Sequence, residues 1–242
     1  MHHPFFKKNN ENKENLKETV QRILSLNPNL DPYNLQIGTY IVICPGENFI
    51  REQTKPNPLP CPDFRKQLSL TNRMRLVWQQ HVYWTRMLLI SIAERLKDEE
   101  AVTTRLLQNP NDIANIFRNY YSMDVSETIA QLLTEHLQIG AKLITALRDG
   151  KTAEAEDLNR QWYVNANKMA VAFSRINPYY NYNDLLEMLY RHLELTTQEV
   201  SMRLAGNYSL DIEAFDSVEQ EILSMADYFT SGLMNQFPQK FN

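Results

Sequence analysis

His81, His136 and His192 recur at intervals of 55 and 56 residues, and only His2 and His3 complete the histidine set of the 242-residue chain. A neutral imidazole carries one donor and one acceptor, and it ligates zinc, iron and copper. The residues at −4, −3, +3, +4, +7 and +8 from His81 are Val77, Trp78, Trp84, Thr85, Leu88 and Leu89. From His136 they are Leu132, Leu133, Ile139, Gly140, Leu143 and Ile144, and Met188, Leu189, Leu195 and Thr196 flank His192 in the same register. This helical period puts all three imidazoles on a buried stripe.

A second recurrence follows each histidine, at Asn111-Asp112-Ile113-Ala114, Asn167-Lys168-Met169-Ala170 and Asp227-Tyr228-Phe229-Thr230. With a turn near each midpoint, antiparallel hairpins carry Asn111 to His81, Asn167 to His136 and Asp227 to His192. Two chemistries fit. Each pair can be a structural one, since a buried imidazole needs partners for both ring nitrogens. Alternatively His81, Glu135, His136, His192 and Asp227 form a set of iron or zinc ligands in a bundle core. The residues preceding the histidines, Gln80, Glu135 and Arg191, repeat no carboxylate. Arg86 and Arg105 beside the stripe could face an anion, although such side chains more often pack their stems and send their heads to water. Cys44 and Cys61 match no zinc spacing, and no nucleophile–base pattern is present, so the reading leans away from catalysis.

The elements that position these residues are helices. Candidate helices run over 71–97, 99–120, 125–148, 152–174, 183–204 and 209–236, with breaks at Lys97-Asp98, Tyr120-Tyr121-Ser122, Asp149-Gly150, Asn177-Pro178 and Ala205-Gly206-Asn207. Short connections make successive helices antiparallel neighbours. The expected fold is mainly α: a six-helix bundle of three repeated hairpins over 70–238, each copy too small to bury its own face. Upstream, residues 1–15 are polar and of low complexity, 16–46 read as a short helix, a turn and a β-branched strand, and 47–69 are a proline-rich linker.

Composition narrows the function classes. The net charge is −4, so the chain is a poor match to the phosphates of nucleic acid. Six glycines and no GxGxxG or GxxxxGK[ST] argue against a phosphate loop. No apolar run reaches the ~20 residues of a membrane span, and the first residues do not read as a signal peptide.

Two resemblances extend this reading. The segment from Ile23-Leu24-Ser25-Leu26-Asn27-Pro28-Asn29-Leu30-Asp31 to Ile41-Val42-Ile43-Cys44-Pro45-Gly46 resembles the second half of a LysM module. That family has a βααβ fold and binds N-acetylglucosamine polymers such as peptidoglycan and chitin. The resemblance implies a glycan-contacting loop at Asn27, Pro28, Asn29 and Leu30; the family's first strand and its Gly-Asp-Thr-Leu turn have no counterpart in residues 1–15. Residues 70–238 carry His81…Trp84-Thr85-Arg86, Arg105-Leu106-Leu107…Asn109…Asp112-Ile113, Glu135-His136-Leu137, Trp162…Asn165-Ala166 and Gln236-Phe237-Pro238. That pattern is similar to a helical bacterial family common in spore-formers and often joined to LysM modules. Its members are sometimes labelled acetylglutamate kinase, but an amino-acid kinase is α/β and glycine-rich, unlike this stretch with four glycines. The Glu-His helix also resembles ferritin-like and hemerythrin-like iron bundles.

Together these give a non-catalytic protein of the cytoplasm, the spore or the cell wall. It would hold a glycan through its N-terminal segment and a protein partner through its bundle, without a cofactor. The alternative is an iron- or zinc-binding bundle built on the core histidines.

Overall fold

The structure is a computed structural model and describes residues 20, 21, 23–25 and 63–242. It divides into two units, residues 1–64 with Asn242, and residues 65–241. In the first, residues 20, 21 and 23–25 are helical. The glycan loop inferred at Asn27–Leu30, the strand at 37–43 and both cysteines lie outside the described residues.

The second unit is helical. The helices are α1 (Phe64–Glu94), α2 (Glu99–Leu106), α3 (Asn109–Phe117), α4 (Met123–Arg148), α5 (Thr152–Ile176), α6 (Tyr182–Leu204) and α7 (Tyr208–Gln236), followed by a 3-10 turn (Pro238–Lys240). No strand occurs among the described residues, and no helix among them is long and apolar enough to cross a membrane.

Most boundaries fall where the sequence places them. Gly150 and Gly206 adopt positive φ (68° and 75°) just after α4 and α6, the conformation a side chain disfavours and a helix end exploits. The Asn181 side chain accepts from the backbone N–H groups of Asn183 and Asp184 and caps α6. Two boundaries differ. The first long helix starts at Phe64 rather than 71, immediately beyond the last linker proline, Pro62. The helix expected over 99–120 is two helices, because Pro110 has no N–H to continue a helical ladder and its ring opposes the carbonyl four residues back. Pro110 is tolerated in the first turn of α3 instead.

Side-chain links fix antiparallel pairing between α4 and α5 and between α6 and α7, and Asn109 of α3 reaches His81 and the Val77 carbonyl of α1. Asn165 on α5 donates to the Leu132 carbonyl of α4 (3.1 Å), while Trp162, one turn earlier on α5, donates to the later carbonyl of His136 (3.1 Å). The buried core has two parts. One centres on Trp78, Phe117, Phe173 and Phe229, with Phe173 and Phe229 ring centroids 4.6 Å apart. The other is aliphatic and holds Leu88, Leu89, Ile92, Leu106, Ile144 and Val200. Along α1, His81 lies between Trp78 of the first and Leu88 of the second.

Gly232 on α7 marks the tightest approach in the core. A Cβ there would overlap the ring of Tyr180, which is buried and donates its hydroxyl to the Phe229 carbonyl (2.6 Å). Gly232→Ala should therefore cost about 1–3 kcal/mol through overpacking. A thermal melt indistinguishable from wild type would show that the ring can retreat.

Candidate metal centre

The three histidines converge. Their ring centroids lie 5.8 Å (His81–His192), 6.1 Å (His81–His136) and 6.2 Å (His136–His192) apart. One ring nitrogen from each lies within 4.8 Å of the other two, and all three residues are buried. Each histidine comes from the first helix of its pair (α1, α4, α6), and each is held from the second (α3, α5, α7).

The outward nitrogens are fixed by hydrogen bonds. His81 Nδ1 meets Asn109 Oδ1 at 3.1 Å, His136 Nδ1 meets Asn165 Oδ1 at 3.2 Å, and His192 Nδ1 meets Glu221 Oε2 at 3.2 Å. The asparagine orientations are settled by their other ends. Asn109 Nδ2 donates to the Val77 carbonyl (2.8 Å). Asn165 Nδ2 donates to the Leu132 carbonyl and to Glu135 Oε2 (2.9 Å). Val77 and Leu132 each stand four residues before their histidine, so the two clamps share one geometry. An amide oxygen or a carboxylate can only accept, so each Nδ1 carries the proton. With Nδ1 engaged in each ring, Nε2 is the nitrogen left for any further partner. Among the described residues, no hydrogen bond is made at any Nε2.

The backbone of each histidine is also tied. Thr85 donates to the His81 carbonyl (2.7 Å) and Thr196 to the His192 carbonyl (2.8 Å), each from one turn on. The corresponding position after His136 is Gly140, too small to donate. The Trp162 indole lies against Gly140, where a Cβ would come 3.3 Å from its ring, and supplies the donor to the His136 carbonyl instead.

Burial disfavours the charged imidazole, and neighbouring rings add mutual repulsion. The His81 pKa falls to about 3, chiefly through burial and then through His192. That of His136 is pushed well below its ordinary value by burial and then by both neighbours. These two rings are neutral at physiological pH, the form that ligates a metal.

The partners inferred from sequence are displaced from the centre. Asn111 is exposed, Asn167 Nδ2 donates to the Tyr182 hydroxyl (2.8 Å), and Asp227 forms a surface pair with Arg75 (2.5 Å). The reason is helical register. Asn165 belongs to the buried stripe of Trp162, Ala166 and Met169, whereas two residues along a helix point to different sides. Glu135 is also not at the centre: its half-exposed carboxylate receives Asn165 and Lys168, so it orients the amide that holds His136. Glu221 is the member that motif matching missed, and its place beside Ile222 on the buried side of α7 was the available signal.

Neither arginine faces an anion pocket. Arg86 is taken by two buried carboxylates, Glu199 (2.5 Å) and Asp211 (2.8 Å). Arg105 stacks over Trp84 at 5.0 Å and reaches Asp112 at 3.8 Å.

No protein-family model, curated protein or solved structure matches this chain.

Proposed function

We propose that this protein is a metal-binding helical bundle whose ligands are His81, His136 and His192. The observation that carries the reading is the convergence of three buried imidazoles, one nitrogen of each within 4.8 Å of the others, with every ring held at Nδ1 from a second helix. Asn109, Asn165 and Glu221 each accept at Nδ1, which leaves Nε2 of each ring free to ligate. Such a cluster is repulsive by itself and favourable around a cation. The corners of a triangle with 4.8 Å sides lie about 2.8 Å from its centre, so small ring rotations reach the ~2.0–2.1 Å of a metal–imidazole bond.

The donor set indicates which ions suit it. Three imidazoles without thiolate or direct carboxylate favour a divalent first-row ion such as zinc or iron over calcium or magnesium. Histidine ligands backed by a carboxylate or carbonyl acceptor are the usual arrangement around such ions. A purely structural cluster would need only one acceptor per donor and would not aim all three acceptors at one point.

The test is direct. Protein stripped with chelator and dialysed against zinc(II) or iron(II) should hold one ion per chain by elemental analysis. His81→Ala should hold none while retaining its helical circular dichroism. Folded wild type without stoichiometric metal would reject the reading.

A further inference from the structure

Beside the three rings lies a narrow, partly open cavity of about 20 Å³. It sits on one side of the histidine layer, because Thr85, Gly140 and Thr196, one turn on from each histidine, all line it. Leu88, Leu106 and Ile144 also line it, and all three belong to the aliphatic core. Space of roughly 10–15 Å³ holds one water, so this cavity admits about one small molecule.

Resting on the metal reading above, we infer that the centre keeps an open coordination position directed into this cavity, and that the position takes a single ligand of one or two heavy atoms. Three protein ligands with a free position distinguish reactive metal sites from closed structural ones. The chemistry of the walls agrees with the size. The Thr85 and Thr196 hydroxyl hydrogens are spent on the His81 and His192 carbonyls. Their oxygens therefore offer the cavity only acceptors, matching a bound water that donates. An oxyanion such as a carboxylate or phosphate is too large and finds no donor there. The closest guanidinium in sequence, Arg86, is already engaged by Glu199 and Asp211. Around the cavity the remaining lining is aliphatic or aromatic, which suits a neutral diatomic as well as water.

The experiment uses the full chain loaded with iron(II) without oxygen, and nitric oxide as the two-atom probe. One nitric oxide per iron should bind, read by the electron paramagnetic resonance signal of a half-integer-spin iron nitrosyl. Excess acetate or imidazole should not reduce that signal in wild type. Leu106→Ala, which widens the cavity, should let imidazole compete. Bound iron without a nitrosyl adduct, or imidazole competing equally in wild type, would overturn the inference and leave the metal reading intact. Failure of iron to bind would overturn both. The wild-type competition decides the matter even if Leu106→Ala does not fold.

Discussion

Arg86→Met is expected to cost about 3–5 kcal/mol of stability, because it leaves buried Glu199 without its cation and buried Asp211 with Arg203 alone. Arg86 Nη1 donates to Glu199 at 2.5 Å and to Asp211 at 2.8 Å, and Nη2 reaches Asp211 at 3.2 Å. Glu199 is 2% exposed and Asp211 0%. The other cation in reach, Arg203, is 3.4 Å from Asp211 and also serves Glu94. The penalty should depend on pH. Burial pushes the Glu199 pKa up to about 7 from 4.5, against the pull of Arg86. A carboxyl whose folded pKa exceeds its unfolded one binds more protons when folded, so its contribution to stability falls as pH rises between those two values. Without Arg86 that interval extends upward, so the loss is greater at mildly alkaline than at mildly acid pH. Urea titrations at the two conditions measure it. A loss within the ±0.5 kcal/mol of an ordinary surface change, or one independent of pH, would contradict the assignment.

Glu221→Leu is expected to weaken metal binding about 10–100-fold. Glu221 fixes the proton of His192 on Nδ1; without an acceptor there, the ring can carry its proton on Nε2 and block the inward lone pair. Glu221→Gln keeps an acceptor and should recover most of the affinity, as Asn109 and Asn165 serve the other two rings. Asp227→Asn should leave affinity unchanged, since Asp227 pairs with Arg75 at the surface. Competitive titration against a chromophoric chelator separates these cases. Equal affinity in Glu221→Leu and wild type would remove the outer carboxylate from the account.

The helices were legible because their signals are local. Apolar period, glycines at 150 and 206 and the Asn181 cap each act within a few residues. The break before Asn109-Pro110 was also written locally, in the missing N–H of Pro110. The inward stripe of the histidines followed from their neighbours. Their partners did not, because matching residue types across segments ignores which side of a helix each type occupies. Asn165 and Asn167 are chemically identical, and only the stripe through Trp162 and Met169 tells them apart. Glu221 replaces an amide with a carboxylate, so a search for like residues passes it by. That the three rings meet depends on how three helix pairs pack, and short connections constrain only the helices within a pair.

The substitution of glycine for threonine one turn after His136 has a spectroscopic consequence. It brings the Trp162 indole to 5.2 Å from the His136 ring, while Trp78 stands 5.9 Å from His81. Two of the chain's three tryptophans thus flank the histidine cluster. A paramagnetic ion seated among the imidazoles would quench their emission, so the chain carries its own optical gauge of occupancy without any attached dye.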